Sequence, residues 1–194
     1  MNRNVIMLRH GRKDGESIAA DQIAEIETNG IPAINELVKD QQVVIHYGSN
    51  FIRTKQTVQA FERFAKQTSL FTVAGYLHGD ERFGNVILFN DFIADPELVA
   101  EANRTNWYSA FEKVKPLFIA DAQSDMVAAL WKLFSELKDG QTAITIGHTP
   151  MIEWLTFAID LERNIPRDLK LAELTGFIFT EEAGKIIITG KIGF

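Results

Sequence analysis

Apolar residues along the chain follow two rhythms. Short, nearly unbroken runs at Val5 to Leu8 ("VIML"), Val43 to His46 ("VVIH") and Thr142 to Ile146 ("TAITI") have the length and β-branched content of strands buried on both faces. Between them the apolar spacing widens to three and four. Ile31 to Val38 ("IPAINELV") predicts a helix with Pro32 in its first turn, where a missing N–H costs little, and Phe51 to Phe64 predicts a second. Asp95-Pro96-Glu97 reads as a cap followed by a first-turn proline, so a helix is expected to start there and run toward Lys113. After a break at Pro116, Asp125 to Leu137 reads as another. Near the end, Gly176 to Thr180 ("GFIFT") and Lys185 to Ile192 ("KIIITGKI"), joined by "EEAG", read as a β-hairpin with a four-residue connection.

Each early strand is followed by a polar turn and then a helical pattern, which calls for a parallel sheet covered by helices. The expected fold class is α/β, a three-layer α/β/α arrangement with a mostly parallel central sheet. No repeat, low-complexity tract or Ser/Gly linker interrupts it, so residues 1–194 are expected to form a single domain. The segment from about Tyr76 to Asp121 separates two strand-helix units and has the length of a small helical cap insertion.

Composition narrows the chemistry. With 194 residues, 46% of them hydrophobic, the chain can bury a substantial core. It has no cysteine, which excludes disulfides, thiolate metal sites and a thiol nucleophile. A net charge of −6 argues against a nucleic-acid partner, so any anion the protein handles must meet a local basic site. No stretch has the length to span a bilayer, and the apolar run near Met1 is too short for a signal-peptide core; no membrane partner and a cytoplasmic location are therefore expected. His46 lies inside a strand and reads as a core residue, and neither it nor His78 belongs to an HExxH-like pattern, so no metal and no cofactor are expected.

The local basic site is found just past the strand ends, where open parallel sheets bind ligands. After the first strand come Arg9, His10, Gly11, Arg12 and Lys13; after the second, Ser49 and Arg53; after the late strand, Gly147, His148 and Thr149. Arginine offers a planar fork matched to phosphate oxygens, and helix N-termini add N–H donors. Gly11 lets the backbone turn sharply and approach a ligand. A neutral imidazole beside such a cluster can act as a nucleophile. Arg12 and Lys13 read either as a solvated loop or as contacts to the far end of a substrate. Ser49 reads either as a pocket donor or as a cap for the helix near Phe51, and Thr149 as an N–H donor to phosphate. Gln56 and Thr57 read as framework.

Arg-His-Gly after the first strand, then "SNFIRTKQT" (Ser49 to Thr57), then "GHTP" (Gly147 to Pro150), in that order and each at a strand end, resemble the histidine phosphatase superfamily, also called phosphoglycerate-mutase-like. "IETNG" is similar to the family's Leu-Thr-x-x-Gly. The resemblance implies that His10 attacks phosphorus to form a phosphohistidine, that Arg9, Arg53 and His148 hold the phosphoryl oxygens, and that water then releases phosphate. The family's general acid has no counterpart directly after the second histidine, where Thr149 stands. Glu81-Arg82-Phe83-Gly84 is similar to a Glu-Arg stretch of the mutase-type branch, which points to Glu81, ahead of Asp80, as the acid, with Asp80 beside the substrate. Should neither reach the site, phosphohistidine or acyl phosphates become the expected substrates, because they need less protonation. Gly79 and Gly84 do not form a P-loop, since Asn85 follows in place of Lys.

The function expected is a metal-independent phosphatase acting on a phosphorylated small molecule or protein. A phosphoglycerate-type mutase, a protein phosphohistidine phosphatase and a non-catalytic phospho-ligand module are the alternatives. Substrate choice is expected to depend on the cap, Arg12, Lys13, Phe83, Trp107 and Tyr108, any of which reads equally as a core residue. Oligomeric state is not read, although the C-terminal hairpin offers an edge for pairing.

Overall fold

Strand β1 (Arg3–Arg9) lies inside a six-stranded sheet because its centre is apolar at four successive positions. Val5 and Met7 join one buried cluster while Ile6 and Leu8 join another, so both faces of the strand are covered. The computed structural model describes every residue except 1–2, 16, 40, 50, 69–70, 85–90 and 163; Asn50 and Asn85, inside two of the motifs quoted above, lie outside the described residues.

The sheet order is β5 (Val73–Leu77), β4 (Gln42–His46), β6 (Gln141–Gly147), β1, β7 (Thr175–Glu182), β8 (Lys185–Gly193). The first three neighbouring pairs are parallel and the last two antiparallel, which makes an α/β fold on a mixed sheet. A two-residue pair, β2 (Lys13–Asp14) with β3 (Ser17–Ile18), folds back just after the Arg-His-Gly stretch.

One cluster joins the sheet to α2 (Ile31–Val38) and α3 (Ile52–Thr68) through residues such as Ile34, Phe61 and Phe64. The other joins it to α4 (Pro96–Arg104), α5 (Trp107–Val114), α6 (Pro116–Glu136) and α7 (Met151–Ile159) through Leu98, Phe111, Leu130 and Trp154. Among the described residues, no helix is long and apolar enough to cross a membrane.

Several element limits differ from the pattern-based expectation, each for a local reason. Helical structure begins earlier than Ile31, with α1 (Ala20–Glu25) and a π-helical turn over Ile26–Gly30. Pro32 therefore sits well inside a continuous helical run, and the wide turn ahead of it accommodates a ring that would otherwise crowd the preceding carbonyls. The helix capped by Asp95, whose carboxylate accepts the N–H groups of Glu97 and Leu98, stops at Arg104. Asn106 starts a new helix by accepting the Ser109 N–H. Helix α6 begins at Pro116 itself, nine residues ahead of Asp125, with proline tolerated in the first turn. The hairpin closes through two residues in place of four: Glu182 pairs with Lys185, and Ala183 and Gly184 take φ values of 49° and 74°, the left-handed conformation of a tight hairpin turn. Strand β5 and the β2/β3 pair carry too little apolar alternation to be seen in the sequence.

Phe111 ties α5 to the rest of the fold, stacking edge-on at 4.6 Å against both Phe92 and Trp154. Truncation of this buried ring leaves a cavity, so Phe111→Ala is expected to lower the unfolding free energy by about 3–5 kcal/mol in urea melts; a loss under about 1 kcal/mol would contradict this packing.

Candidate active site

The strand tips converge because their registers align. Arg9 stands opposite Gly147 and His46 opposite Thr145, so the chain leaves β1, β4 and β6 side by side at one edge. The His10 N–H donates to the Gly147 carbonyl at 3.2 Å, and the His10 and His148 rings lie 4.8 Å apart. A cavity of about 480 Å³ opens there, lined by Arg9, His10, Arg12, Lys13, Phe51, Arg53, Gly84, His148, Thr149, Met151 and Glu173. Four cationic side chains against one carboxylate give the local positive charge that a net-acidic protein needs to hold an anion.

His10 is held in one protonation form. Its Nδ1 lies 2.7 Å from the Gly11 carbonyl oxygen, which can only accept, so Nδ1 carries the proton. Nε2 keeps its lone pair and accepts from Arg53 Nε at 3.1 Å. Burial pushes the pKa of His10 down to about 4; the Gly11 carbonyl opposes this, while Arg53 and Arg9 reinforce it. The resulting neutral imidazole, lining a cationic cavity, is suited to nucleophilic attack.

Ser49 and Thr54 fix His148. Their hydroxyls converge on His148 Nε2 at 2.6 and 2.9 Å, and Phe51 packs at 4.3 Å from its ring. Burial, with His10, Arg53 and Arg9 acting in the same direction, depresses the His148 pKa to about 2. Ser49 is thus committed to orienting His148 and to a bond with Thr54. Gly84 closes over this pair: a Cβ there would lie 2.6 Å from His148 Cδ2 and 2.7 Å from Ser49 Cβ, so no larger residue fits without displacing them.

The guanidinium groups are each anchored by neighbouring groups. Arg53, in the first turn of α3, sits 4.6 Å over the Phe51 ring, and burial lowers its pKa with Arg9 adding to the effect. Arg9 donates from Nη1 to the Leu171 carbonyl and pairs through Nη2 with Glu173 at 3.0 Å. Arg12 lines the cavity while pairing with Asp21, and Lys13 lines it too. The Gly11 N–H donates to Thr57 Oγ1, which in turn donates to the Arg53 carbonyl, and Gln56 accepts the Ile18 N–H; both side chains are framework, as expected. Gly11 is needed for lack of room, since its Cβ would meet the Ile18 side chain at 2.6 Å.

The two carboxylates read as acid candidates lie elsewhere. Asp80 caps a short 3₁₀ turn over Glu81–Phe83 and accepts from the Arg82 backbone and guanidinium at 2.6 to 3.0 Å. Glu81 is exposed and borders a different cavity with Arg82, Asp121 and Asp125. Only Gly84, at the end of that turn, reaches the cavity of His10. The sequence reading missed Phe51, Thr54, Gly84, Met151 and Glu173. Glu173 carried a usable signal, because β7 runs antiparallel to β1 and so begins beside its tip. His46 is buried, with Nδ1 2.8 Å from the Thr145 hydroxyl and 3.2 Å from the Gly48 N–H that it accepts, as a core histidine should be. Among the described residues, no group of three or more His, Cys, Asp or Glu could hold a metal ion.

No family model matches the sequence, and no curated protein matches it. Solved structures do. The phosphoserine phosphatase of Entamoeba histolytica, in complex with 3-phosphoglyceric acid, superposes with a TM-score of 0.62 at 13% identity, covering 99% of this chain and 98% of that chain. A variant of the same enzyme with phosphoserine gives 0.57 at 12% identity, covering 98% and 95%. A proposed alpha-ribazole-5'-P phosphatase from Escherichia coli gives 0.51 at 12%, covering 96% and 94%. At these identities the likeness is one of fold: the chain has the same fold as these phosphatases.

Burial of three imidazoles has a consequence for stability. Each of His10, His46 and His148 binds a proton more weakly when folded than when unfolded. The unfolded chain therefore takes up more protons as pH falls from about 6.5 toward 4, and stability is lost over that window. Glu153, whose pKa is raised to about 7, acts in the opposite sense and offsets one of the three. Urea midpoints are expected to fall steadily from pH 6.5 to 4; a flat or rising profile would contradict the neutral, buried state of these rings.

Proposed function

We propose that the chain is a phosphatase that works through a phosphohistidine on His10. The observation that carries this is the neutral His10 ring, with its proton on Nδ1 and bare Nε2 beside Arg53, in a cavity that also holds Arg9 and His148. Nε2 attacks phosphorus, and the bond to the leaving group breaks on the opposite side. Negative charge spreads over the three equatorial oxygens in the transition state, where Arg9, His148 and Arg53, whose Nε has by then released Nε2, stabilise it. Water then attacks the phosphohistidine and frees phosphate. Arg12, Lys13 and Thr149 contact the substrate at the rim. The domain is taken to span 1–194 in three layers, with a cap at about 76–121, and the enzyme to be a phosphoric monoester hydrolase acting on a phosphorylated small molecule or protein. The shared fold with an enzyme named phosphoserine phosphatase supports this class of reaction.

A second reading, hydrolysis of phosphohistidine or acyl phosphates, is favoured by one observation: Asp80 and Glu81 lie outside the cavity, and such leaving groups need little protonation. A module that only bound phosphate would have no use for a bare imidazole nitrogen at that position.

Phosphate release from p-nitrophenyl phosphate, with EDTA present, tests the proposal. The wild-type chain is expected to turn over unaffected by EDTA, and His10→Ala to lose at least about a thousandfold in rate. Equal rates for the two proteins would overturn it.

A further inference from the structure

Behind Arg9 lies a second cavity, of about 270 Å³, that the mechanism above does not use. It shares Arg9 and Thr149 with the first cavity and adjoins it there, while none of His10, Arg53 or His148 lines it. A leaving group that departs opposite the attacking Nε2 needs a chamber adjoining the phosphoryl pocket.

Glu153, in the first turn of α7, forms part of its wall and is only 4% exposed. Its Oε1 accepts the Leu171 N–H at 3.1 Å, whereas Oε2 is buried without a hydrogen-bond partner. A buried carboxyl oxygen left unmatched is costly and calls for an explanation. Burial raises the Glu153 pKa to about 7, against the opposing pull of the Leu171 N–H, of its own backbone N–H and of Arg9, so the group carries a proton over much of the neutral range. With Oε1 already accepting, that proton belongs on Oε2. Arg9, Lys170 and Tyr108 are the other titratable groups facing this cavity.

We infer that this second cavity receives the leaving group of a phosphomonoester, and that Glu153 is the acid that protonates the departing oxygen. The inference rests on the phosphatase reading and selects, within it, esters with poor leaving groups over the phosphohistidine alternative. Trp107 and Tyr108 line the chamber and suit a small, flat alcohol or phenol. As His10 Nε2 bonds to phosphorus, the P–O bond breaks with its electron pair passing to oxygen, and the Oε2 proton transfers to that oxygen. Glu153 is left as a carboxylate near Arg9. A water molecule entering the vacated chamber then attacks the phosphohistidine and returns a proton to Oε2, so the cycle closes on alcohol and phosphate. The remaining carboxylate of the first cavity, Glu173, is committed to Arg9 at 3.0 Å.

Leaving-group dependence tests this. Glu153→Gln keeps an oxygen for the Leu171 N–H but has no acidic proton. Phenyl phosphate, which needs protonation, is expected to lose at least about a hundredfold in kcat/KM, and p-nitrophenyl phosphate, which needs little, at least about tenfold less than that. Equal losses on the two substrates would mark Glu153 as structural and overturn the inference, as would no loss on either. Should the variant fold poorly, wild-type pH profiles decide. Turnover of phenyl phosphate is expected to fall above pH 7 relative to p-nitrophenyl phosphate, and parallel profiles would overturn the inference. Wild type inactive on both substrates, or activity that survives His10→Ala, would instead bring down the phosphatase reading beneath it.

Discussion

The site depends on one hydrogen bond, from His10 Nδ1 to the carbonyl of the next residue, Gly11. An imidazole has one proton to place when neutral, and this contact decides where it goes. With Nδ1 committed, Nε2 is left as the nitrogen that can form a bond, and Arg53 meets it there. The rest of the fold serves that geometry. Parallel pairing of β1 with β6 brings the His10 N–H to the Gly147 carbonyl, and close packing around Gly11 and Thr57 keeps the loop from turning the ring.

Electrostatics explain why the arrangement needs burial. In water a fraction of His10 would be protonated near neutral pH and unable to attack; out of water, beside two guanidinium groups, it stays neutral. The same surroundings leave Arg9 and Arg53 charged and only partly matched, with Glu173 the one carboxylate lining the cavity among the described residues. In the proposed function a phosphoryl dianion supplies the missing negative charge. Burial both keeps the His10 imidazole neutral and leaves unmatched positive charge beside it.

What the sequence disclosed follows from how local each signal was. The strands around Val5, Val43 and Thr142 were legible because burial on both faces demands continuous apolar runs, His10 and His148 because each stands just past such a run, and Arg53 because it opens the helix after one. The π turn at Ile26–Gly30 was hidden, since Pro32 read as a helix start when it is a residue within one. Asp80 was misleading for another reason: a carboxylate that caps its own turn looks in sequence just like one aimed at a ligand. Glu153 was missed because a glutamate in an otherwise apolar helix reveals its burial only once the segment at Leu171 has packed against it.

The central claim is the state of the His10 ring, which long-range proton–nitrogen NMR of the imidazoles reads directly. The account predicts a neutral ring at pH 7 with the proton on Nδ1 and an unprotonated Nε2, unchanged down to about pH 5. A proton on Nε2, or an imidazolium at pH 7, would contradict it.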